Sequence, residues 1–261
     1  MIIDTHAHYD DERFDDDRDE LLRGMKAHGV DIIVNASAAV KGCYDSMKLA
    51  ETYDFMYFMA GIHPSDTADL EKAGVFDEIK RMAQHERCVA VGEIGLDYYW
   101  DEPERDIQKK WFANQLQLAR DVKKPVNIHS RDAAADTLDI MKAEKAVEVG
   151  GIIHCFSYGV EMAREYLNMG FSIGVGGVVT FKNGKKLKEV VEYTPLDRIV
   201  LETDCPYLAP EPYRGHRNHS GHLNMVAEKI AEIKKVSKEE VVEQTRKNAL
   251  NIYTDITFRY K

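Results

Sequence analysis

Long hydrophobic runs are missing from this sequence. No stretch approaches the ~18 consecutive apolar residues of a membrane-spanning helix, which argues against a helical membrane protein. Cysteine is sparse and scattered. Cys43, Cys88, Cys155 and Cys205 form no C-x-x-C pair, so reduced, mostly buried thiols are expected rather than a zinc ribbon or a disulfide scaffold. Positive charge is in deficit, with a formal net charge of -10. A protein that coats nucleic acid through bulk electrostatics carries the opposite sign, so any polyanion has to be gripped locally. No low-complexity linker divides the chain, and no Gly-rich phosphate loop follows the first apolar run. The opening MIIDTHAHYD lacks the basic segment and apolar core of a signal peptide, so the expectation is a cytoplasmic protein. Neither membrane contact nor an obligate protein partner is indicated.

Short runs rich in Val, Ile and Phe are present, and they alternate with charged stretches of helical period. Eight runs can be marked: 1–8, 30–37, 55–64, 88–97, 125–131, 150–156, 170–177 and 197–204. Helices are expected between them, for instance over 11–29, 106–124 and 158–170. Eight β-α units in 261 residues predict an α/β fold of (β/α)8 TIM-barrel type, a single domain over 1–261. The amphipathic stretch 237–256 is expected to cover the barrel as a C-terminal helix.

Barrel enzymes build their sites at the carboxyl ends of the strands. Those ends carry His6 and His8 on run 1, His63 after run 3, Glu93 on run 4, His129 on run 5, His154 on run 6 and Asp204 on run 8. Side chains two apart on a strand share a face. His6 and His8 therefore point inward together, Asp4 below them either orients His6 or is a buried, locally satisfied acid, and Arg131 follows His129. By the same alternation Cys155 and Cys205 are expected to face the helical layer. So many imidazoles and carboxylates in one mouth are costly to bury without a cation. Nitrogen and carboxylate donors suit Zn, Mn, Fe, Co or Mg. Six ligands exceed what one catalytic ion takes, so two divalent metal ions are expected. His6, His8 and Asp204 would hold one, His129 and His154 the other, with Glu93 as the bridge.

The motifs DTHAHYD, AGIHP, VGEIGLDYY, NIHSRDA, HCFS, LETDCPYLAP and YRGHRN run in order from Ile2 to about Tyr253. Together they resemble the TatD family of metal-dependent hydrolases. The resemblance implies the same barrel, a two-metal site on those six residues, and deoxyribonuclease activity, as in several members. One loop departs: many members read Arg-Gly-Lys-Arg-Asn-Glu-Pro after strand 8, where this chain has Arg214-Gly215-His216-Arg217-Asn218-His219-Ser220.

The reaction expected is phosphodiester hydrolysis by a two-metal-activated water, with Asp204 and Glu93 as catalytic carboxylates. A 3′-to-5′ exonuclease acting on single strands or strand ends of DNA, or on a short oligonucleotide, fits best. Arg131, Arg214, Arg217 and His63 are the candidate substrate contacts, since guanidinium matches phosphate oxygens in pairs; the alternative for each arginine is a solvated loop charge, and for His63 a place behind a metal ligand. The acidic segment 10–20 would repel a long duplex near the rim, and the lysine-rich 181–190 would offset it. Tyr98, Tyr99 and Trp100 offer faces for base stacking or packing over the barrel edge. The rival reading is an amidohydrolase-type enzyme acting on a small cyclic amide, ester or lactone, because fold and metals do not fix substrate.

Overall fold

β-branched and aromatic residues fill the apolar runs, and each run becomes a strand buried on both faces, as all-parallel sheets require. The computed structural model describes residues 1–257; the end of the expected domain, 258–261, lies outside the described residues. The strands are β1 (Ile2–Ala7), β2 (Val30–Asn35), β3 (Met56–Met59), β4 (Cys88–Asp97), β5 (Val126–Arg131), β6 (Gly151–Ile153), β7 (Ser172–Val175) and β8 (Ile199–Leu201). They pair parallel in sequence order, β1 through β8. A parallel bridge between Ala7 and Cys205 joins the first strand to the last. The His8 amide donating to the Cys205 carbonyl at 2.8 Å reinforces this closure.

Helices α1 (Arg18–Gly24), α2 (Val40–Thr52), α3 (Val75–Ala83), α4 (Arg105–Val122), α5 (Ala134–Ala143), α6 (Val160–Asn168), α7 (Lys185–Tyr193), α8 (Leu223–Lys234) and α9 (Lys238–Ile252) lie between or after the strands. None is long and apolar enough to cross a membrane. α4 shows how they dock: Trp111, Phe112, Gln115, Leu116, Leu118 and Ala119 are buried along one face. The first helical stretch differs from the single helix expected over 11–29. It is divided into Glu12–Phe14, α1 and Met25–His28, the two flanking pieces being 3-10 turns.

α9 begins with Ser237, whose hydroxyl accepts from the Glu240 amide and satisfies one free N–H of its first turn. Past its end, Tyr253 and Ile256 join Ala249 against Ile3, Ile32, Tyr57, Ile152 and Val200 of the strands. The helix thus plugs the barrel at the end opposite the mouth and leaves the carboxyl ends of the strands open.

Candidate metal centre

A cavity of about 600 Å³ opens at the carboxyl ends of the strands, walled in part by His8, His63, Glu93, His129, His154 and Asp204. β1 supplies His6 and, just past its end, His8; β4 supplies Glu93 and β5 His129. His154 and Asp204 stand beyond β6 and β8, on shorter strands than the runs 150–156 and 197–204 predicted. The backbone there turns left-handed, with φ of 43° at Cys155 and 56° at Asp204, and the alternation of faces stops.

That turn corrects the expectation for Cys155. It lines the cavity rather than the helical layer. Its sulfur and donor atoms of His154 and Asp204 all lie within 4.8 Å of one another. Cys205 is buried, as expected, along with Cys43 and Cys88.

Glu93 divides its two oxygens between two pairs of imidazoles. Oε2 lies 3.5 Å from His6 Nε2 and 3.9 Å from His8 Nε2. Oε1 lies 2.8 Å from His129 Nδ1 and 3.8 Å from His154 Nε2. Asp204 Oδ1 sits 3.3 Å from His8 Nε2, 3.6 Å from His154 Nε2 and 3.8 Å from His6 Nε2. The facing Nε2 atoms of His6 and His8 are 3.0 Å apart, a spacing that needs a shared proton or a cation between lone pairs.

Each ring is held from its far side. Asn127 Oδ1 is 2.8 Å from His6 Nδ1, and the Ala36 carbonyl 3.1 Å from His8 Nδ1. Asp97 Oδ2 is 3.1 Å from His129 Nε2. Glu202 lies 3.2 Å from His154 Nδ1, though outside hydrogen-bonding geometry. Fixing ring orientation from behind is what partners of metal-binding imidazoles do. Gly174 makes room for Glu202: a Cβ there would fall 2.3 Å from its carboxylate. Asn127 and Glu202 each precede a predicted ligand by two residues, so the alternation that selected His129 and Asp204 also marks them, a signal the sequence reading passed over. Asp97 stands four residues past Glu93 on β4 and is marked the same way.

Among the protein groups alone, the carboxylates are balanced by imidazolium. Burial pushes Glu93 upward, but His6 and His154 outweigh it and hold the acid well below the usual range. Burial opposes the charged form of His8, yet Asp204 and Glu93 carry it up to about 9. Against the same penalty, Glu202 and Glu93 carry His154 up to about 10. His6 moves the other way, lowered by burial and by His154, which stacks on it with centroids 3.5 Å apart. A divalent cation would supply the same balance without protons. The donor set is right for Zn, Mn, Fe, Co or Mg. Glu202 holds His154 Nδ1 at 3.2 Å and so leaves Nε2 turned toward Glu93 and Asp204, where a cation would sit. The residues present therefore fit a metal centre.

The remaining predicted residues divide. His63 and Arg131 line the cavity, Arg131 stacked 3.8 Å over Tyr99. Burial and His129 lower His63 to about 4, so it is a neutral imidazole there. Arg214 packs 4.3 Å over the Phe181 ring. Arg217 is turned aside as well, paired with Asp17 at 2.5 Å and donating to the Arg13 carbonyl at 2.6 Å. An acidic turn pinned by an arginine is thus what the segment 10–20 provides at that point, although Asp10 and Asp11 do reach the cavity wall. Asp4 does not orient the His6 ring. Its carboxylate accepts from the Thr203 amide at 3.0 Å, from the Thr203 and Ser220 hydroxyls at 2.6 and 2.7 Å and from the His6 backbone amide at 3.3 Å, so it is the buried, locally satisfied acid. Tyr98 is half-buried, its hydroxyl donating to Asp136, whereas Trp100 is 64% exposed on the cavity rim. Tyr207, which the sequence did not single out, joins the rim with Arg13 stacked on it at 4.1 Å. From 181–190, Asn183 and Lys186 border a side cavity of about 220 Å³ that shares Cys155 and Asp204 with the main one.

Residues 3–254 match the family model described as TatD related DNase. The chain is 45% identical over 253 residues to the uncharacterized metal-dependent hydrolase YabD of Bacillus subtilis, covering 97% of this chain and 99% of that protein. It is 36% identical over 259 residues to the uncharacterized metal-dependent hydrolase YcfH of Escherichia coli, covering 97% and 96%. Among solved structures, that of YJJV, a TatD homolog from Escherichia coli K12, superposes with a TM-score of 0.88 at 29% identity, covering 97% of this chain and 98% of the other.

Proposed function

This chain belongs to the TatD family of metal-dependent hydrolases, and from that premise we propose that it is a deoxyribonuclease. It cleaves phosphodiester bonds from the 3′ side of single strands or strand ends and uses two divalent ions. The observation that carries the two-ion reading is the division of Glu93, one oxygen toward His6 and His8, the other toward His129 and His154. Glu93 would hold both ions, His6, His8 and Asp204 one of them, and His129 and His154 the other. When bound, the two ions supply Lewis acidity and lower the pKa of a water poised for in-line attack at phosphorus.

The chain's own residues do the rest. Asp204 accepts the proton of the attacking water: its side chain is 20% exposed against 5% for Glu93, so water reaches it. Glu93, enclosed, holds its position between the imidazoles. Arg131 offers paired donors to the phosphate next to the scissile one. Trp100, 64% exposed at the rim, is suited to stacking on an unpaired base, which any sequence supplies, while Tyr207, also on the rim, carries Arg13 on one ring face. Asp10 and Asp11 on the same wall disfavour a long polyanion, and so favour a strand end over continuous duplex.

The test is substrate choice. Purified protein supplied with Mg2+, Mn2+ or Zn2+ is offered end-labelled single-stranded DNA, duplex DNA and a panel of lactones and cyclic amides. Metal-dependent shortening of the single strand from its 3′ end supports the reading; turnover of the lactones or amides alone replaces it with the small-molecule hydrolase.

A further inference from the structure

Cys155 stands apart from the other cysteines. Cys43, Cys88 and Cys205 are fully buried, whereas Cys155 borders both the main cavity and the side cavity. A cysteine in a barrel is usually core, and the other three obey that rule. Three features take Cys155 out of it. Its left-handed backbone, with φ of 43°, carries the side chain off the strand's alternation. Its amide is tied to Glu202 Oε1 at 2.5 Å, which fixes the turn. Its sulfur then falls in one donor cluster with His154 and Asp204, all within 4.8 Å of one another. The His154 ring beside it is 3% exposed, with Nδ1 held against Glu202 Oε2 at 3.2 Å, which leaves Nε2 on the cavity side, 3.6 Å from Asp204 Oδ1.

We propose that Cys155 is a further metal donor, whose sulfur joins His154 and Asp204 on thiophilic divalent ions such as Zn2+ or Cd2+ and stays off hard ions such as Mg2+. Softness of the ligand decides the difference. Thiolate selects soft ions, while carboxylate and water suit Mg2+ and Mn2+. On coordination the S–H bond breaks, a sulfur–metal bond forms and the proton leaves to solvent, with no change of oxidation state. The site thus has two modes, an imidazole–carboxylate mode for hard ions and a sulfur-bearing mode for soft ones. This inference needs a metal centre and is indifferent to the substrate.

Two measurements test it, and neither depends on turnover. Chelated protein titrated with Cd2+ develops a sulfur-to-cadmium charge-transfer absorption equivalent to one sulfur per chain, and Cys155→Ser abolishes it. Loss of even an outer partner costs roughly 10–100-fold in metal affinity, and Cys155→Ser costs Cd2+ no less while Mn2+ affinity holds. X-ray absorption of the unaltered Zn2+ protein, which needs no variant to fold, shows a sulfur neighbour at about 2.3 Å. A first shell of nitrogen and oxygen alone, or cadmium absorption that persists in Cys155→Ser, overturns the proposal. Either result leaves Mg2+- or Mn2+-supported DNA cleavage untouched as a separate question.

Discussion

Asn127 Oδ1 lies 2.8 Å from Nδ1 of His6, on the opposite edge of the ring from the nitrogen that faces His8. This contact sets which nitrogen of a fully buried imidazole is left as donor. Asn127→Ala removes it, leaves Nδ1 buried and unpaired, and lets the ring turn. Metal affinity is expected to fall roughly 10–100-fold, as titration calorimetry of the chelated variant would show. Equal affinity in variant and parent would mean that Asn127 merely fills space.

Asp204→Asn keeps the volume of the side chain but removes the base. The turnover rate is expected to fall by about 10²–10⁴-fold or more, with at least one ion still bound. Metal content and single-turnover kinetics on a labelled oligonucleotide separate the two effects. A variant that turns over at the parent rate would remove Asp204 from the proton transfer.

Arg131, at the end of β5, and Arg217, in the loop after β8, differ in kind although the family motifs cover both. Arg131→Ala is expected to raise KM for single-stranded DNA with a smaller change in kcat, since the guanidinium lines the cavity over Tyr99. Arg217→Ala breaks a partly exposed pair with Asp17, which is worth about 1 kcal/mol or less. Its effect belongs in the melting temperature, with KM little changed. The reverse pattern would place Arg217, not Arg131, on the substrate.

The loop that departs from the family pattern contains a pH response. His219 is lowered to about 4 by burial and by its neighbours His222 and His28, with Arg217 adding to the effect and Asp17 opposing it. Its usual value is near 6.5, so the folded state resists a proton that the unfolded chain accepts. Stability is therefore complete above pH 6.5 and is lost as pH falls toward 4. Melting temperatures should drop across that window, and His219→Gln should flatten the drop. An unchanged profile in the variant would assign acid sensitivity elsewhere.

What could be read from the sequence follows from where the backbone is regular. β4, Cys88–Asp97, coincides with its predicted run, and Glu93 on it lies among the imidazoles as strand alternation requires. On β5, His129 and Arg131 reach the cavity as alternation requires, though Ser130 between them lines it too. Past β6 and β8 the chain turns left-handed, so His154 and Asp204 reach the mouth by a route the pattern does not describe, and Cys155 reaches it against the pattern. Arg217 was legible as a charge but not as the partner of Asp17, because that pairing spans 200 positions in sequence. Asn127 and Glu202 were within reach of the same parity argument. Neither residue type suggests a catalytic ligand at first sight, and their part emerges once the rings they hold are in place.

The proposed two-ion centre, with Glu93 joining its positions, acts on a phosphodiester only when both ions are bound. Chelated protein should be titrated with Mn2+ while bound metal and 3′-end shortening of a labelled single strand are followed in the same sample. Cleavage that rises as a second equivalent per chain is filled, and that is lost together with that equivalent in Glu93→Gln, is the predicted result. Full cleavage at one equivalent, or a Glu93→Gln variant that still binds two ions and cleaves at the parent rate, would contradict it.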